Sequence, residues 1–474
     1  MRLGQLFIIF SAVCVGLFGR EGRIDHFQEK VTQILESVDP SAQVAIKIVS
    51  LRTGEVLFEK NPHIRMVPAS VAKLYTVAAG FDQLGPNFQF ETKLLCRRVI
   101  RNGVLEGDLY LKGGGDPALK QRHFAILADQ LKERGIHSVE RDLIVDTTVF
   151  DAIQSGPGWM WDDMLSSFCT PICGLNVDHG RLAIHIEPSA QKGGAPSVRY
   201  APTSEEIVIC NKAKMGSTTK GLTVKRAVHR EGQPIEICGE MAIEEGPQKF
   251  KVAALNPPAH AAFQLANALR EKGIAFKGQI HFKKTPSGAI TLATYRSLPL
   301  QELSKKIIKK TDNLYADSLF KRLGDGTWSG GSKKVRRFLS DKLGIDHHDV
   351  IQIDGSGLSR YNLTTVDQVV SLLTWVHNEA PFAAEFKSSL SIAGVDGTLK
   401  KRFDSGRFRS KIRAKTGTMT SVTAIAGYLT TKEKEPIVFA IMANGFVSSA
   451  REMKSDLEDA ILNECLYIAN SRGE

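Results

Sequence analysis

A serine and a lysine three residues apart stand where a helix is predicted to begin. Pro68 and Ser70 are helix start signals, and the alanine-rich run after them continues to Gly80, where we expect the helix to end. Residues three apart lie on one face of a helix, so the Ser70 hydroxyl and the Lys73 amine should be neighbours. The positive end of the helix dipole adds to the field at Ser70. This pattern is typical of a serine nucleophile with a lysine base.

The same spacing occurs elsewhere in the chain, so alone it carries little weight. The other pairs are Ser189 and Lys192, Ser217 and Lys220, and Ser318 and Lys321. A serine in such a pair is more commonly a helix cap or a turn residue beside a solvated lysine. The surroundings of each pair must therefore decide between the two interpretations.

Amide hydrolysis through an acyl-serine needs a nucleophile, a base, donors for the oxyanion and a cation for an anionic substrate. Lys73 is a base only when it is neutral, and we expect burial and a second cation, Lys415, to lower its pKa. The backbone N–H groups of Ser70 and Thr418 are candidates for the oxyanion hole. The hydroxyls of Thr416 and Thr418, beside Lys415, suit a substrate carboxylate.

The overall composition is that of an ordinary soluble globular protein. A chain of 474 residues is too long for one hydrophobic core and suggests about three domains. The net charge of +11 favours anionic surroundings such as an acidic polymer or an envelope surface. Nucleic acid is the competing partner, but the basic residues are scattered and no recognition motif occurs. Because only 7% of residues are aromatic as well, no nucleic-acid partner is expected.

Residues 1–22 have the pattern of a secretory signal peptide. Arg2 precedes a mostly apolar run, Leu6 to Leu17, and Gly16 or Gly19 offers a small residue near a cleavage point. We expect cleavage and export to the periplasm, with an uncleaved anchor and peripheral envelope association as the alternative. Cys14 lies in a poor lipidation sequence, and no later stretch is apolar enough to span a bilayer.

Six cysteines follow the leader, an even number that suits disulfides in an oxidising compartment. One candidate pairing joins Cys210 to Cys238 on two strands of a small domain. Cys169 and Cys173, followed by His179 and His185, have spacings within each pair that zinc tolerates, but the link between the pairs is far shorter than in a zinc finger. No metal and no cofactor are therefore expected.

Changes in the pattern of predicted helices and strands along the chain predict nested domains. Helices and paired strands occur at both ends, over residues 23–88 and 295–474, and can close into one α+β domain. Residues 89–154 and 248–294 share a second pattern, with similar strands and helical segments, and are predicted to form a second domain. Residues 155–247 hold short β segments without helical periodicity, which predicts a third, β-rich domain inserted in the second.

Three motifs, in this order, resemble the signatures of the penicillin-recognising serine D,D-peptidases. They are Ser70-Val71-Ala72-Lys73, Thr311-Asp312-Asn313 and Lys415-Thr416-Gly417, and the second and third occur once each in the chain. In particular, the chain resembles the low-molecular-mass class C penicillin-binding proteins, which are D-alanyl-D-alanine carboxypeptidases/endopeptidases. The long gap between the first two motifs matches the nested insert of these enzymes.

The resemblance implies a penicillin-binding, serine β-lactamase-like transpeptidase domain of the α+β class, with an antiparallel sheet and helices, that carries two nested inserted β-rich domains. It implies a hydrolase that removes D-alanine from peptidoglycan stem peptides, cuts D-alanyl-diaminopimelate cross-links, or does both, through an acyl-Ser70 and without a cofactor. β-Lactams are the implied covalent inhibitors. Thr311 and Asn313 would relay the proton and position the substrate. The family usually has serine at the place of Thr311, where the added methyl restricts χ1.

The resemblance also implies residues that recognise the substrate. In relatives, the aspartate of a Gly-Asp-Pro turn and the arginine that ends Asp-Gly-Ser-Gly-Leu-Ser-Arg hold the amino-acid end of a diaminopimelate side chain; here these are Asp116 and Arg360. A carboxylate and a guanidinium suit the ammonium and the carboxylate of that group. The alternatives are a turn-capping aspartate and a surface arginine. Met419 and Thr420 would line the same pocket.

Two other functions fit part of the pattern. A β-lactamase needs fast deacylation, commonly with a water held by glutamate, and the chain lacks the Glu-x-x-x-Asn that such enzymes use. The large insert also argues against that activity. A non-catalytic scaffold that binds peptidoglycan is favoured only by Thr311, whereas intact Ser70, Lys73, Asn313 and Lys415 argue against it.

Overall fold

The structure is a computed structural model that describes residues 20–468 except 99, 165, 202–206, 228–229, 404–405 and 407. Residues 1–19, which make up most of the predicted signal peptide, lie outside the described residues. Within the described part, none of the helices combines the length and the apolar character that crossing a membrane requires.

The strands of the described residues are numbered in chain order. They are β1 (Gln43–Ser50), β2 (Val56–Lys60), β3 (Glu91–Cys96), β4 (Ile100–Arg101), β5 (Val104–Leu105), β6 (Leu109–Lys112), β7 (Ser138–Val139), β8 (Leu143–Asp146), β9 (Arg181–Glu187), β10 (Ser197–Ala201), β11 (Ile209–Asn211), β12 (Lys214–Gly216), β13 (Lys220–Arg226), β14 (Ile235–Ala242), β15 (Gln248–Ala253), β16 (Ala275–Phe276), β17 (Ile280–Phe282), β18 (Ile290–Arg296), β19 (Ser391–Ile392), β20 (Ile412–Met419), β21 (Val422–Thr430) and β22 (Pro436–Asn444).

The α-helices are numbered in the same way. They are α1 (Arg20–Ser37), α2 (Lys73–Leu84), α3 (Gln121–Glu133), α4 (Pro257–Glu271), α5 (Leu300–Lys309), α6 (Asn313–Leu323), α7 (Trp328–Leu343), α8 (Val366–Asn378), α9 (Ala383–Ser389), α10 (Ala450–Met453) and α11 (Ala460–Cys465). A 3-10 turn, Ala69–Ala72, leads directly into α2, and a π-helical segment, Lys454–Asp459, joins α10 to α11.

The chain forms two compact units, and the first consists of the residues up to Pro86, Ser304–Thr311 and the residues from Lys334 onward. Its centre is an antiparallel sheet in the order β19-β20-β21-β22-β1-β2. The strands β21 and β22 are buried along almost their whole length, because helices cover both faces. On one face α1 and the C-terminal helices share a hydrophobic core with the sheet, and α8 packs against β22 and β1.

The second unit comprises Asn87–Leu303 and Asp312–Lys333. It contains a mixed sheet in the order β17-β8-β6-β3-β18, whose apolar side chains share a core with α3 and α4. A smaller sheet has the order β16-β7-β5-β4.

A separate hydrophobic core lies among the strands from β9 to β15. The sheet β10-β9-β15 and a second sheet around β14, with β11, β12 and β13, contribute apolar residues such as Ile184, Ile237 and Val252 to this core. Residues 312–333, which the sequence places in the catalytic domain, cluster with the second unit. The three predicted domain limits stay a prediction.

The helix after Ser70 extends further than its sequence predicts. It continues through Gly80, which is buried in the helix interior, and ends at Leu84. Gly85 then adopts φ +81°, and Pro86 follows, so the break occurs where glycine and proline stand together. The prediction that the helix ends at Gly80 is therefore wrong.

The six cysteines that follow the leader all lie among the described residues, and none of them forms a disulfide there. Strands β11 and β14 are neighbours, but their register sets Cys210 opposite Glu236. The candidate bond between Cys210 and Cys238 is therefore not formed in the structure.

Candidate active site

Ser70 and Lys73 lie together at the start of α2. The Lys73 Nζ donates to the Ser70 Oγ at 2.9 Å. Lys73 is fully buried, whereas Ser70, in the 3-10 turn, keeps partial exposure. A buried amine beside a partly exposed hydroxyl is the geometry that a serine nucleophile and its base require.

The backbone just before the serine is strained. Ala69 has φ +45°, in the left-handed region that side chains with a Cβ rarely adopt. Such a conformation costs about 1–3 kcal/mol and persists only where the surrounding structure enforces it. The surrounding structure therefore holds residues 68–70 in this conformation, and we call these residues the nucleophile turn after the predicted role of Ser70.

A loop of residues 354–359 holds Lys73 from the other side. The carbonyl oxygen of Ser356 accepts a hydrogen bond of 2.5 Å from Lys73 Nζ. Asp354 shapes this loop, because its two carboxylate oxygens accept from the N–H groups of Gly357 and Ser359 at 2.7 and 2.6 Å. Thr76 in α2 also donates to the Gly355 carbonyl at 2.8 Å. The sequence singled out this stretch for its arginine alone, so the role of Ser356 was missed.

Two glycines allow neighbouring segments to approach the nucleophile turn. A Cβ on Gly357 would lie 1.9 Å from the Ala69 carbonyl oxygen, and one on Gly417 would lie 2.7 Å from the Pro68 carbonyl oxygen and 3.0 Å from the Ser70 nitrogen. Both contacts are with backbone, which cannot turn aside as a side chain can. Any larger residue at these positions would displace Ser70 or the segment beside it.

The third motif lies inside β20, and its lysine is fully buried. Lys415 Nζ donates to the Thr311 hydroxyl at 3.0 Å and to the Thr416 carbonyl at 2.5 Å. Burial, and after it repulsion from Lys73, lower the pKa of Lys415 well below its ordinary value. Lys73 and Lys415 are thus an electrostatically coupled pair.

One edge of β20 is open beyond its first residues. The short strand β19 pairs only with Arg413 and Ala414, so within the described structure residues 415–419 have a strand neighbour on one side only, β21. Thr418 is exposed there. Thr416 is almost buried and donates its hydroxyl to Thr398 at 2.8 Å, a contact that sequence reasoning did not predict.

Thr311 is the second strained residue of the site. Its φ is +50°, and a β-branched residue in this region is an outlier. The chain leaves the first unit at Thr311 and enters the second at Asp312. Asn313, the first residue of α6, donates its side-chain amide to the Phe168 carbonyl at 2.9 Å.

Of the residues predicted to recognise substrate, Arg360 belongs to the first unit and Asp116 to the second. Arg360 donates to the Thr420 carbonyl at 2.9 Å, which brings it to the end of β20 next to Met419. Asp116 is only 2% exposed, and its Oδ1 caps a turn by accepting from the Ala118 N–H at 2.8 Å. Its Oδ2 is buried and has no hydrogen-bond partner among the described residues. Burial raises the pKa of Asp116 to about 7.

The first unit therefore brings the pair Ser70 and Lys73 together with Thr311 and Lys415, which are distant from that pair in sequence. The other predicted residues in this unit are Thr416, Thr418, Arg360, Met419 and Thr420. Asn313 and Asp116 belong to the second unit. The catalytic and binding roles of all these residues stay predictions.

Residues 27–464 match the model of the D-Ala-D-Ala carboxypeptidase 3 (S13) family. The chain belongs to this family. Among curated relatives, the D-alanyl-D-alanine carboxypeptidase DacB of Haemophilus influenzae is 29% identical over 436 residues, which are 90% of this chain and 90% of the relative. A D-alanyl-D-alanine carboxypeptidase of Actinomadura sp. is 31% identical over 448 residues, 89% of this chain and 82% of that protein.

A solved structure agrees with the family assignment. Penicillin binding protein 4 from Haemophilus influenzae has a TM-score of 0.82 and 28% identity, and the match covers 92% of this chain and 99% of the other. The predicted penicillin-binding fold of mixed helices and sheets is confirmed. The predicted enzyme class, a serine-type D-Ala-D-Ala carboxypeptidase, is confirmed as well.

Proposed function

We propose that this S13 family member removes the terminal D-alanine from peptidoglycan stem peptides, and cuts D-alanyl-diaminopimelate cross-links, through an acyl-Ser70 intermediate. The observation that carries the proposal is the contact of 2.9 Å between Lys73 Nζ and Ser70 Oγ, in a unit where the buried Lys415 interacts electrostatically with Lys73. None of the proposed steps requires a metal or a cofactor.

In the acylation step, neutral Lys73 takes the proton of the Ser70 hydroxyl as the oxygen attacks the carbonyl carbon of the peptide bond. The carbonyl oxygen becomes an oxyanion, which the N–H groups of Ser70 and Thr418 would stabilise. When the intermediate collapses, the C–N bond breaks, and the leaving amine receives the proton through the Thr311 hydroxyl. Water then hydrolyses the ester and restores Ser70.

The coupled lysines suggest how Lys73 becomes neutral. Two buried ammonium groups repel each other, so the protein disfavours a state in which both are charged. A substrate carboxylate beside Lys415, Thr416 and Thr418 would favour the protonated form of Lys415. The same carboxylate would thereby favour neutral Lys73, so substrate binding itself would prepare the base.

Cleavage of cross-links requires recognition of a diaminopimelate side chain. The buried Asp116, with one carboxylate oxygen lacking a partner in the described structure, and Arg360, at the end of β20, have the charges that suit its ammonium and carboxylate. Asn313 would hold the substrate amide, in line with the motif to which it belongs.

Inhibition by β-lactams follows from the same chemistry, because a strained lactam acylates the serine in place of the peptide. The Haemophilus influenzae penicillin binding protein 4, 27% identical with a TM-score of 0.78, has been solved in complex with a β-lactam. We place the protein in the periplasm, where peptidoglycan lies, with residues 1–22 as its signal peptide. The positive charge would favour the anionic wall.

Purified protein tests the proposal. Wild type should release D-alanine from a pentapeptide and form a covalent adduct with labelled penicillin, and Ser70→Ala should do neither. Ser217→Ala is the matched control, because it alters an exposed serine of the same Ser-x-x-Lys spacing. An adduct on Ser70→Ala would overturn the mechanism.

Purified cross-linked muropeptides show which bond is cut. Cleavage of the D-alanyl-diaminopimelate bond supports the endopeptidase activity, and release of D-alanine alone would restrict the enzyme to carboxypeptidase work. Rapid turnover of a chromogenic cephalosporin, rather than slow stoichiometric loss, would favour a β-lactamase instead.

A further inference from the structure

The second motif is held by a segment that lies far before it in sequence. His179 Nε2 lies 3.1 Å from Asp312 Oδ2, and the Phe168 carbonyl accepts from the Asn313 amide at 2.9 Å. Both pairs lie within the second unit. Residues 168–179 thus contact two of the three residues of the motif.

Asp312 is fixed through both of its carboxylate oxygens. Its Oδ1 caps α6 by accepting from the Tyr315 N–H at 3.3 Å, and its Oδ2 faces His179. The carboxylate is mostly shielded, with 15% side-chain exposure. With one oxygen on the helix and the other on the imidazole, the rotamer of Asp312, and hence the backbone between Thr311 and Asn313, has little freedom.

The backbone around His179 has an unusual conformation. Asp178, His179 and Gly180 have φ values of +50°, +65° and +56°, a run of three left-handed residues. Two backbone hydrogen bonds hold this turn. The Asp178 N–H donates to the Leu119 carbonyl at 2.9 Å, and the Gly180 carbonyl accepts from the Ala254 N–H at 2.8 Å. Strain of this kind persists where the surrounding structure enforces it, commonly at functional positions.

Other groups around the pair support a charged Asp312. The guanidinium of Arg181 influences the same carboxylate, and the His179 ring lies 5.5 Å from the Tyr315 ring. Burial raises the pKa of Asp312, but the hydrogen bond and charge of His179, with the charge of Arg181, more than offset this and leave the pKa below its ordinary value. The carboxylate is thus an acceptor that His179 can hold.

We propose that His179 is a positioning residue of the hydrolase, which orients the Thr311-Asp312-Asn313 motif through Asp312. The inference rests on the proposed function of that motif. It gives the predicted β-rich insert a part in the reaction, because that insert supplies the imidazole. His179 touches neither substrate nor reacting atoms in this proposal and acts only through the aspartate.

The test compares three replacements of His179. Gln can place an amide nitrogen near the position of the imidazole Nε2, whereas Asn is too short to reach Asp312 but tolerates the left-handed backbone. His179→Ala and His179→Asn should lower kcat for D-alanine release by about ten- to a hundred-fold, because misplaced groups cost that much, while KM changes little. His179→Gln should restore most of kcat.

The controls separate positioning from folding and from the parent proposal. His185→Ala alters another partly exposed histidine of the insert and should leave kcat unchanged. Asp312→Asn combined with His179→Ala should lose no more than the larger single loss, since both changes remove one contact. Thermal unfolding of each variant is measured alongside.

Two outcomes would overturn the inference. One is wild-type kcat in His179→Ala and His179→Asn. The other is equal kcat in the Gln and Asn variants at equal stability, which would show that reach to Asp312 does not matter. If wild type itself neither released D-alanine nor bound labelled penicillin, the proposed function would fail first, so the two failures are distinguishable.

Discussion

Asp116→Asn should stabilise the protein at neutral and alkaline pH while it weakens recognition of diaminopimelate. Burial raises the pKa of this carboxyl from 3.8 to about 7, because the charged form is poorly solvated and only the Ala118 N–H opposes the shift. Asparagine has the same shape, keeps an oxygen for Ala118 and carries no charge to desolvate. The substitution therefore removes an unfavourable charge that we propose the substrate ammonium exploits.

The sign and size of the effect follow from linkage. Since the folded-state pKa lies above the unfolded one, the favourable neutral form is intact below pH 3.8 and is lost as the pH rises through about 7. A difference of about 3 pKa units corresponds to about 4 kcal/mol once the group is ionised in both states. Ionisation of Asp116 lowers the free energy of unfolding by about 1.5 kcal/mol at pH 5 and by about 4 kcal/mol at pH 8. The advantage of Asp116→Asn should therefore grow by about 2.5 kcal/mol between these pH values.

Denaturant unfolding of wild type and variant at pH 5 and pH 8 measures this difference. Asp146→Asn in the same unit is the control whose effect should not depend on pH. Burial raises the pKa of Asp146, but hydrogen bonds, including those from the Thr148 and Thr285 N–H groups at 2.9 and 2.8 Å, outweigh burial and leave the pKa lowered. That variant should be less stable than wild type by the same amount at pH 5 and pH 8, because the lowered pKa of Asp146 leaves its carboxylate ionised in the folded and the unfolded state at both pH values. An advantage of Asp116→Asn that is equal at pH 5 and pH 8 would refute the reasoning.

The functional half of this prediction uses two substrates that differ only in the free amino group of diaminopimelate. Wild type should prefer the substrate with the ammonium over its N-acetylated form, since a carboxylate pairs with a cation. Asp116→Asn should lose most of that preference through a higher KM for the ammonium substrate. An undiminished preference would remove Asp116 from the binding site and leave it as a turn cap.

Three further predictions concern the nucleophile turn and its neighbours. Gly417→Ala should slow acylation by labelled penicillin by about a hundred-fold, because its Cβ would meet the Pro68 carbonyl at 2.7 Å; Gly246→Ala, with open space around it, is the control. Thr311→Ala should lower D-alanine release by a similar factor, since it removes the hydroxyl that accepts from Lys415, and retention of wild-type release would exclude a relay. Thr311→Ser should keep or raise that activity, because it retains the hydroxyl and removes the branched methyl from a left-handed backbone. A large loss in the serine variant would contradict this reasoning.

Sequence rules succeed for features that depend on residues close together in the chain. The contact of Ser70 with Lys73 follows from helical spacing, and the end of α2 was misjudged only because Gly80 is tolerated inside a packed helix. Helix propensity alone does not predict the start of α7, because Gly330 and Gly331 stand in its first turn. A Cβ at either glycine would collide with a neighbouring segment, at 2.1 Å from Asp325 Oδ1 or 2.4 Å from the Phe320 carbonyl oxygen, so close packing rather than propensity explains them.

Contacts between residues that are distant in sequence could be predicted only from the order of the three motifs along the chain. Nothing in the local sequence places Thr311 against Lys415, and nothing predicts that the Ser356 carbonyl accepts from Lys73. The pKa of Asp116 is equally hidden, because it depends on burial by residues distant in the chain. Patterns of residue type thus predict which residues take part, whereas the geometry that brings Thr311 to Lys415 and Ser356 to Lys73 depends on the tertiary fold.

The strained residues show why the site resists prediction from propensity. Ala69 and Thr311 both adopt left-handed backbone conformations that a local rule would assign to glycine. Glycine does occur nearby, but at Gly357 and Gly417, where the backbone of the nucleophile turn leaves no room for a Cβ. Because two separate segments press on residues 68–70, the turn has no space in which to relax. The glycines that permit this close approach therefore help to maintain the strain at Ala69 and to fix the backbone that carries Ser70, the predicted nucleophile.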